Sequence, residues 1–410
     1  MLIYIILALT FGYSMIVAET SIGRMTGKSP VGAFHSFGKA KWLSFGGWIN
    51  AIIPILIVPY YSVIGGWVIK YLFEYVTGHA GTVAADGYFS SFISSGAATE
   101  ICFLIFVFIT LAIIFAGVRN GIERVSKFMM PVLVVLSVVI AVYSVSRPGA
   151  IAGVKYFLIP NVENFSWMTV VSAMGQMFYS LSIAMGILVT FGSYMKKDNN
   201  LESSVRQIEI FDTAIAFLAG LMIIPAVFVF SGGDTSTLNA GPGLMFMTLP
   251  KVFASMKLGG FIGCLFFVMV FFAALTSAIS LMETIVSIFQ DKFHWTRKAT
   301  CLFVTALSLL LGVPSSLGFG PLAFISWMGL SILDIMDFIS NSVLMPIVAI
   351  FTCIFVGFII KPKTIADEVK ITNGKFKGEK LFTVMIKWVA PIFLVLILAS
   401  SVASAMGLVC

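Results

Sequence analysis

Residues 175–186 read GQMFYSLSIAMG and lie in the middle of an otherwise apolar run of the chain. The stretch combines glycine with the hydroxyl groups of Tyr179, Ser180 and Ser182. Small and polar residues of this kind let a membrane helix unwind and expose its backbone groups, which can then hold ions and small solutes near the bilayer midplane. The competing interpretation is close helix packing through small residues. Composition alone leaves both interpretations open.

The composition of the whole chain identifies lipid as the solvent for much of its surface. The 410 residues are 59% hydrophobic and 10% charged, whereas soluble proteins carry about 25% charged residues. The net charge of +7 does not indicate nucleic acid, because the basic residues sit in short loops between apolar runs. The five cysteines, the last of them Cys410, are scattered and have neither metal-ligand spacing nor a disulfide pattern.

Apolar runs of about 20 residues predict membrane helices, because lipid offers no partner to an unpaired backbone group. The sequence predicts ten such spans, at about 2–23, 43–71, 99–118, 128–146, 167–194, 208–231, 259–289, 299–313, 330–360 and 381–407.

The distribution of Lys and Arg predicts the orientation of these spans. Every second loop between the spans, together with the adjoining span ends, lies on one side, and this side holds 20 basic residues, including Lys39 and Lys387. The loops of the opposite side hold 5. The basic side should therefore be cytoplasmic, with both chain ends outside. The first run begins at Met1 without a polar leader, and it lacks the basic region and cleavage site of a signal peptide. We therefore expect a sequence that begins inside a helical bundle whose upstream helix is missing.

Polar residues inside membrane spans are costly and therefore informative. In residues 272–278, FAALTSA, the hydroxyls of Thr276 and Ser277 could bind a hard cation. The competing and favoured interpretation is that they bond carbonyls of their own helix one turn back.

Acidic and aromatic side chains in or beside the spans give further candidates. The acids are Glu19, Asp212, Glu283, Asp334 and Asp337. Intramembrane acids usually form ion or proton sites, or pair with buried bases, and Asp212 is the best ion-site candidate. Tyr60, Tyr61 and Trp67 could anchor the second span at an interface. The two tyrosines would, however, lie deep in that span and need hydroxyl partners, such as a substrate carboxylate.

Ordered motifs along the whole chain resemble the neurotransmitter:sodium symporter family. They are Glu19-Thr-Ser-Ile-Gly-Arg24, Gly121-Ile-Glu-Arg-Val-Ser-Lys127 with Met130-Pro131, residues 175–186 with Tyr194 and Lys197-Asp198, Gly241-Pro-Gly-Leu244 with Thr248-Leu-Pro250, Ala273-Ala-Leu-Thr-Ser277, and Leu333-Asp-Ile-Met-Asp337.

This resemblance implies an all-α polytopic membrane protein with a leucine-transporter-like inverted repeat, in which helices one to five oppose helices six to ten. The chain would form a single transmembrane domain over 1–410 and supply family helices two to eleven. Residues 1–146 would be the remainder of the first repeat, 167–360 the second repeat, and 381–407 an extra C-terminal helix. The missing first helix would contribute to the substrate site and to both sodium sites.

The resemblance also assigns roles to individual residues. One sodium site resembles the Ala273 carbonyl with the Thr276 and Ser277 hydroxyls, and the other resembles Ser180 with Asp212. The substrate pocket resembles Tyr61, whose hydroxyl would meet a carboxylate, with Tyr179, Ser182, Met185, Leu281, Ile57 and Ile64. Asp337 would be the outer gate acid, and Asp291 the inner gate acid with Tyr194 and Ser193 nearby.

Two departures from the family pattern shape the expected substrate and ions. Asp212 stands where the family often has asparagine with chloride nearby, so the acid should replace chloride and no cofactor beyond sodium is expected. Ala184 stands where the family often has glycine, and its methyl group narrows the pocket. We therefore expect sodium-coupled symport of a hydrophobic amino acid across the plasma (inner) membrane, with a homodimer left open.

Three alternatives compete with this function. A channel would need rings of charge or carbonyls, whereas the acids here are single. An enzyme would need a nucleophile with its base or a metal cluster, and His35, His79 and His294 all lie in loops or at span ends. The third is a truncated, non-transporting symporter product, since each sodium site would lack ligands from the first helix. On that view, the 410-residue chain alone would not accumulate amino acid along a sodium gradient.

Overall fold

The computed structural model describes residues 1–38, 41–160, 165–233, 241–327 and 329–405. Lys39, the end of the last predicted span at 406–407, and Cys410 lie outside the described residues.

Twelve helices of the described residues define the architecture. In chain order they are α1 (Leu2–Thr26), α2 (Lys41–Val76), α3 (Gly96–Phe115), α4 (Val118–Val145), α5 (Trp167–Ser180), α6 (Ile187–Ser193), α7 (Leu201–Phe230), α8 (Gly259–Phe293), α9 (Arg297–Leu317), α10 (Ile332–Ile359), α11 (Pro362–Asn373) and α12 (Glu379–Ala403). Shorter helices lie in the connections, at Pro30–Ser36, Ala80–Val83, Tyr88–Ser94, Ala150–Leu158 and Leu249–Ser255.

Nine of these helices, all except α5, α6 and α11, are long and apolar enough to cross a membrane. They match nine of the ten predicted spans to within a few residues at most ends. The tenth, 167–194, is divided into α5 and α6 by the segment Leu181–Gly186, which agrees with the helix-unwinding interpretation of its composition.

The predicted end of the span at 299–313 is wrong. The helix α9 continues four residues beyond the predicted end, through Pro314 to Leu317. A proline within a membrane helix is tolerated because neighbouring helices and local adjustment satisfy the backbone groups that it frees.

Glycines bring α1 and α6 into backbone contact. A Cβ atom on Gly23 would lie 2.0 Å from the carbonyl oxygen of Val189, and one on Gly192 would lie 2.4 Å from that of Thr20. No side chain fits at these distances, so the two glycines set how closely the helices approach. This contact positions the α6 end of the broken helix.

An aromatic cluster surrounds the C-terminal half of α2. Trp67 is 1% exposed and packs edge-on against Phe89, Phe246 and Phe319, at ring-centroid distances of 5.2–5.8 Å. The Tyr71 hydroxyl donates to the Phe246 carbonyl at 2.7 Å. The expectation that Trp67 anchors at an interface is therefore wrong, because the loop helices fold over this end of α2 and bury the indole.

Arg24, at the end of α1, links α1 to α11 by hydrogen bonds and an ion pair. Its guanidinium donates to the Glu368 carboxylate at 2.8 Å, to the Glu368 carbonyl at 2.6 Å and to the Asn199 carbonyl at 2.9 Å. Lys197 adds a second cation at 2.7 Å from the same carboxylate. Since Arg24 is buried, these contacts join α1, the segment after α6, and α11.

We expect Gly23→Ala to destabilise the protein by about 1–3 kcal/mol, because the methyl group overpacks a rigid backbone contact. The matched control is Gly175→Ala, at an open helical position where a Cβ would meet nothing within 4 Å. Thermal unfolding followed by fluorescence in detergent should show a lower apparent Tm for the first variant only. Equal melting of the two variants would contradict the packing argument.

Candidate functional site

The segment Leu181–Gly186 between α5 and α6 has a backbone that no helix could contain. Ser182, Ala184 and Gly186 have φ of 54°, 60° and 73°. Left-handed backbone costs roughly 1–2 kcal/mol in a residue other than glycine. Two such residues in one segment mean that surrounding contacts hold the break open.

Glu19 of α1 provides one of these contacts. Its Oε1 accepts the Ala184 amide at 2.9 Å, and the side chain is buried. Its Oε2 is buried without a hydrogen-bond partner among the described residues. The carbonyls of Leu181 to Met185 likewise accept no hydrogen bond from a described residue. The break thus presents oxygen atoms to the interior of the bundle.

A cavity of about 370 Å³ opens beside this segment. It brings together ten of the twelve predicted sodium and substrate residues, namely Ile57, Tyr61, Tyr179, Ser180, Ser182, Met185, Asp212, Thr276, Ser277 and Leu281. The other two, Ile64 and Ala273, line an adjacent and mostly apolar cavity of about 300 Å³ that shares Tyr61. Residues separated by more than 200 positions therefore meet at one centre.

Ser180 and Asp212 are in direct contact, as expected of two ligands of one site. The Ser180 hydroxyl donates to Asp212 Oδ2 at 2.7 Å. Tyr4 of α1 donates to the same oxygen at 2.9 Å and lies 3.2 Å from the Ser180 hydroxyl. Two donors on one oxygen suit an ionised carboxylate, so Asp212 can offer negative charge to the cavity.

The Thr276 hydroxyl follows the favoured interpretation from the sequence, whereas none of the hydrogen bonds below involves Ser277. Thr276 Oγ1 donates to the carbonyls of Phe272 and Ala273, both at 3.0 Å. Ser280 Oγ donates to the Thr276 carbonyl at 3.1 Å. A hydroxyl that has donated its proton still keeps lone pairs, so the bonding orients these oxygens toward the cavity without excluding cation binding.

The predicted outer gate acid, Asp337, lies in a polar cluster at the start of α10. Asn341 donates from Nδ2 to Asp337 Oδ1 at 2.5 Å and to the Tyr60 hydroxyl at 3.2 Å. Tyr60 is buried, so this contact gives its hydroxyl the partner that its depth demands. Its neighbour Tyr61 points instead to the central cavity.

The predicted inner gate residues have other hydrogen-bond partners in this structure. Asp291 accepts the Ser29 amide at 2.5 Å, and the Ser193 hydroxyl donates to the Thr190 carbonyl at 2.7 Å. Tyr194 donates to Glu283 Oε1 at 2.9 Å. The grouping of Ser193 and Tyr194 with Asp291 as a gate stays a prediction.

Glu283 forms the structural pair that was one of its two expected roles. Arg297 donates to its two carboxylate oxygens at 3.1 and 2.6 Å, and also to the Ile114 carbonyl at 3.0 and 2.7 Å. The Glu283 side chain is fully buried. The pair joins α8 to the start of α9 and the end of α3.

Asp334 is a capping residue rather than an ion-site candidate. Its Oδ2 accepts the Ser331 amide at 3.1 Å and the Ser331 hydroxyl at 2.7 Å, and Ser331 caps the Asp334 amide in return. This reciprocal arrangement is a capping box.

Sequence reasoning missed four residues of the site: Tyr4, Met130, Ile187 and Ser280. Ser280 could have been found, because it lies four residues after Thr276 and therefore on the same face of α8. Nothing in the apolar run that contains Tyr4 marks it as a partner of Asp212.

Comparison with known proteins agrees with this architecture. Residues 88–408 match the Sodium:neurotransmitter symporter family. An uncharacterised sodium-dependent transporter, YhdH of Bacillus subtilis (strain 168), is 31% identical over 97% of this chain and 88% of its own length. A similar transporter from Haemophilus influenzae is 31% identical, with 98% and 89% coverage. The crystal structure of MhsT in complex with L-phenylalanine is 34% identical and superposes with a TM-score of 0.88, covering 98% of this chain and 90% of that one.

The chain belongs to the Sodium:neurotransmitter symporter family. Its fold is the all-α, leucine-transporter-like fold of a multi-pass membrane protein, which confirms the prediction from the ordered motifs. The family supports sodium-coupled solute symport and excludes the enzyme alternative.

We expect Glu283→Gln to destabilise the protein by about 3 kcal/mol, because a half-buried Arg297 would lose its charge partner. Glu123→Gln is the control, since Glu123 and Lys127 form an exposed pair of the same type at 2.6 Å, which should contribute little. The measurement is the apparent Tm in detergent. An unchanged Tm for Glu283→Gln would show that the pair is not structural.

Proposed function

We propose that this chain binds a hydrophobic amino acid together with sodium in the central cavity and carries both across the plasma membrane by alternating access. The observation that carries the proposal is the convergence on one cavity, beside a broken helix, of ten residues that the family resemblance assigned to the sodium and substrate sites. Its volume lies in the range of small-molecule sites, about 300–1,000 Å³.

The polar groups of the cavity suit the two charges of an amino acid backbone. The Tyr61 hydroxyl would donate to the carboxylate. The free carbonyls of Leu181 to Met185 would accept from the ammonium group. Hydrogen bonds to a charged group contribute about 1.5–3 kcal/mol each, so these contacts would fix the orientation common to all amino acids.

The remaining walls favour an apolar side chain. Ile57, Met185, Ile187 and Leu281 line the cavity, and Ala184 is fully buried with its methyl group at the break. A related transporter structure holds L-phenylalanine. An apolar pocket distinguishes neighbouring side chains weakly, by roughly 1–3 kcal/mol per methylene, so several large hydrophobic amino acids should compete.

Sodium would bind on both sides of the substrate. Ser180 and Asp212 would form one half-site, and the Ala273 carbonyl with Thr276 and Ser277 would form the other. Sodium is a hard ion that prefers such oxygen ligands. Its binding would stabilise the state that accepts substrate, and its gradient would supply the work of uphill uptake.

Asp212 would make this sodium binding independent of chloride. Its carboxylate, held by Tyr4 and Ser180, already places a negative charge beside the half-site. A second anion at the same place would be repelled. The Asp212 carboxylate would therefore supply permanently the negative charge that a bound chloride supplies in chloride-dependent transporters.

A binding screen of the twenty amino acids, with sodium or potassium as the only cation, tests the proposed substrate. We expect sodium-dependent binding of large apolar amino acids alone. Tyr61→Phe should weaken it at least about tenfold, because the carboxylate loses a hydrogen bond. Tyr75→Phe is the control, since the buried Tyr75 hydroxyl has no partner among the described residues.

Binding of a polar amino acid, or equal binding in potassium, would refute the substrate proposal. Sodium-driven uptake in proteoliposomes then separates the full transport cycle from the alternative of binding without transport.

Replacing chloride with gluconate should leave sodium-dependent binding unchanged. In Asp212→Asn the same binding should fall and recover as chloride is added, because the missing charge can then be supplied by the anion. Glu209→Gln is the control, since Glu209 is a buried acid of the same helix that does not line the cavity. Chloride stimulation of the unmodified protein would contradict the proposal.

A further inference from the structure

A second cavity, of about 420 Å³, lies on the basic side of the protein where α10 ends and α12 begins. Lys361, Lys363 and Lys387 line it, together with Phe358, Glu379 and Thr383. We propose that this lysine pocket binds the phosphate of an anionic phospholipid. It shares no residue with the central cavity.

The charges of the lysine pocket are not balanced within the protein. Lys361, Lys363 and Lys387 form no ion pair with any described residue. The one acid in the lining, Glu379, is engaged 2.7 Å away by Lys370. The pocket therefore carries an excess of positive charge that an anion would neutralise.

Lys387 is placed where its charge is costly without a ligand. It lies within the membrane-spanning α12, about two turns from its start, and is only partly exposed. Its Nζ sits 5.9 Å from the centre of the Phe358 ring. Lysines in such positions extend their ammonium group toward the interface, which brings it to the depth of phospholipid phosphates.

Lys361 has a strained backbone that a lysine would not adopt without cause. Its φ is 68° and its ψ is 141°, and it caps the N-terminus of the twelve-residue α11. Glycine would suit this conformation, yet the chain keeps a charged side chain there. Strain of this kind is typical of ligand sites. The positive end of α11 adds to the attraction for an anion.

The apolar surface beside the pocket favours an anion that is part of a lipid. Phe358 is 49% exposed and Trp388 is 61% exposed, and their rings pack perpendicular to each other at 6.1 Å. Val384 and Ile392 of α12 are also exposed. A free phosphate would make no favourable contact with this apolar surface, whereas the acyl chain of a phospholipid would pack along it.

Trp388 allows the bound lipid to be detected directly. The full chain would be reconstituted in bilayers containing either phosphatidylcholine or phosphatidylglycerol with brominated acyl chains, which quench nearby indoles. Subtracting the signal of Trp388→Phe isolates this tryptophan from the other six. We expect brominated phosphatidylglycerol to quench it several-fold more effectively than brominated phosphatidylcholine.

Removing the charge of one pocket lysine should lower the preference for phosphatidylglycerol over phosphatidylcholine. Lys361→Gln and Lys387→Gln should each lower it roughly fivefold, the effect expected for one lysine at an anionic membrane surface. Lys380→Gln is the matched control, because Lys380 is exposed on the same segment but does not line the pocket. Its preference should stay that of the parent protein.

Lys361→Gly separates lipid binding from folding. It removes both the charge and the backbone strain, so the apparent Tm should hold or rise while the lipid preference falls. Equal quenching by the two lipids would overturn the proposal. An undiminished preference for phosphatidylglycerol in Lys361→Gln, Lys387→Gln and Lys361→Gly would also overturn it. Displacement of phosphatidylglycerol by inorganic phosphate would also overturn it, because the site would then bind a free anion.

Discussion

The contact between the Glu19 carboxylate and the Ala184 amide is the constraint on which the site depends. In a bilayer, an interrupted helix must have its backbone groups satisfied by protein, by water or by a ligand. Glu19 satisfies one donor and fixes the direction in which the segment Leu181–Gly186 turns. The close approach of Gly23 and Gly192 holds α1 and α6 at the distance that this contact requires. The cavity lies beside this turn, where Ser182 and Met185 of the segment line it together with Tyr61, Asp212 and residues of α8.

The acids in or beside the membrane spans show how one chemical group serves different purposes in the same protein. Asp212 lines the cavity and is held by hydroxyl groups, which leave its charge available. Glu283 is neutralised by Arg297 and therefore joins helices. Asp334 caps its own helix. Neighbouring donors, rather than depth, separate the acid that can bind an ion from those that stabilise the fold.

Much of this arrangement could be predicted from the sequence, because apolar length and hydroxyl-rich interruptions are local signals. The polar stretch inside the run 167–194 marked the position of the break. The family resemblance assigned Tyr61 to the substrate pocket and Ser180 with Asp212 to a sodium site, and all three line one cavity. The failures concern tertiary contacts. Trp67 is covered by loop helices that no hydropathy pattern describes, and α9 continues through Pro314 to Leu317. The partnership of Tyr4 with Asp212 spans 208 positions, and an isolated tyrosine in an apolar run gives no sign of it.

The unwound segment also determines what mutagenesis can reveal. The recognition groups proposed for this segment are main-chain oxygens, and every amino acid supplies the same oxygen. A conventional alanine scan across residues 181–186 would therefore introduce backbone strain at Gly186, whose φ is 73°, and would leave the proposed ligating atoms unchanged. Changing those atoms requires altering the peptide bond itself, for example by replacing an amide with an ester, which weakens the carbonyl as an acceptor. At this site, side-chain substitutions change the backbone conformation of the break. The atoms proposed to bind belong to the main chain and are the same in every amino acid.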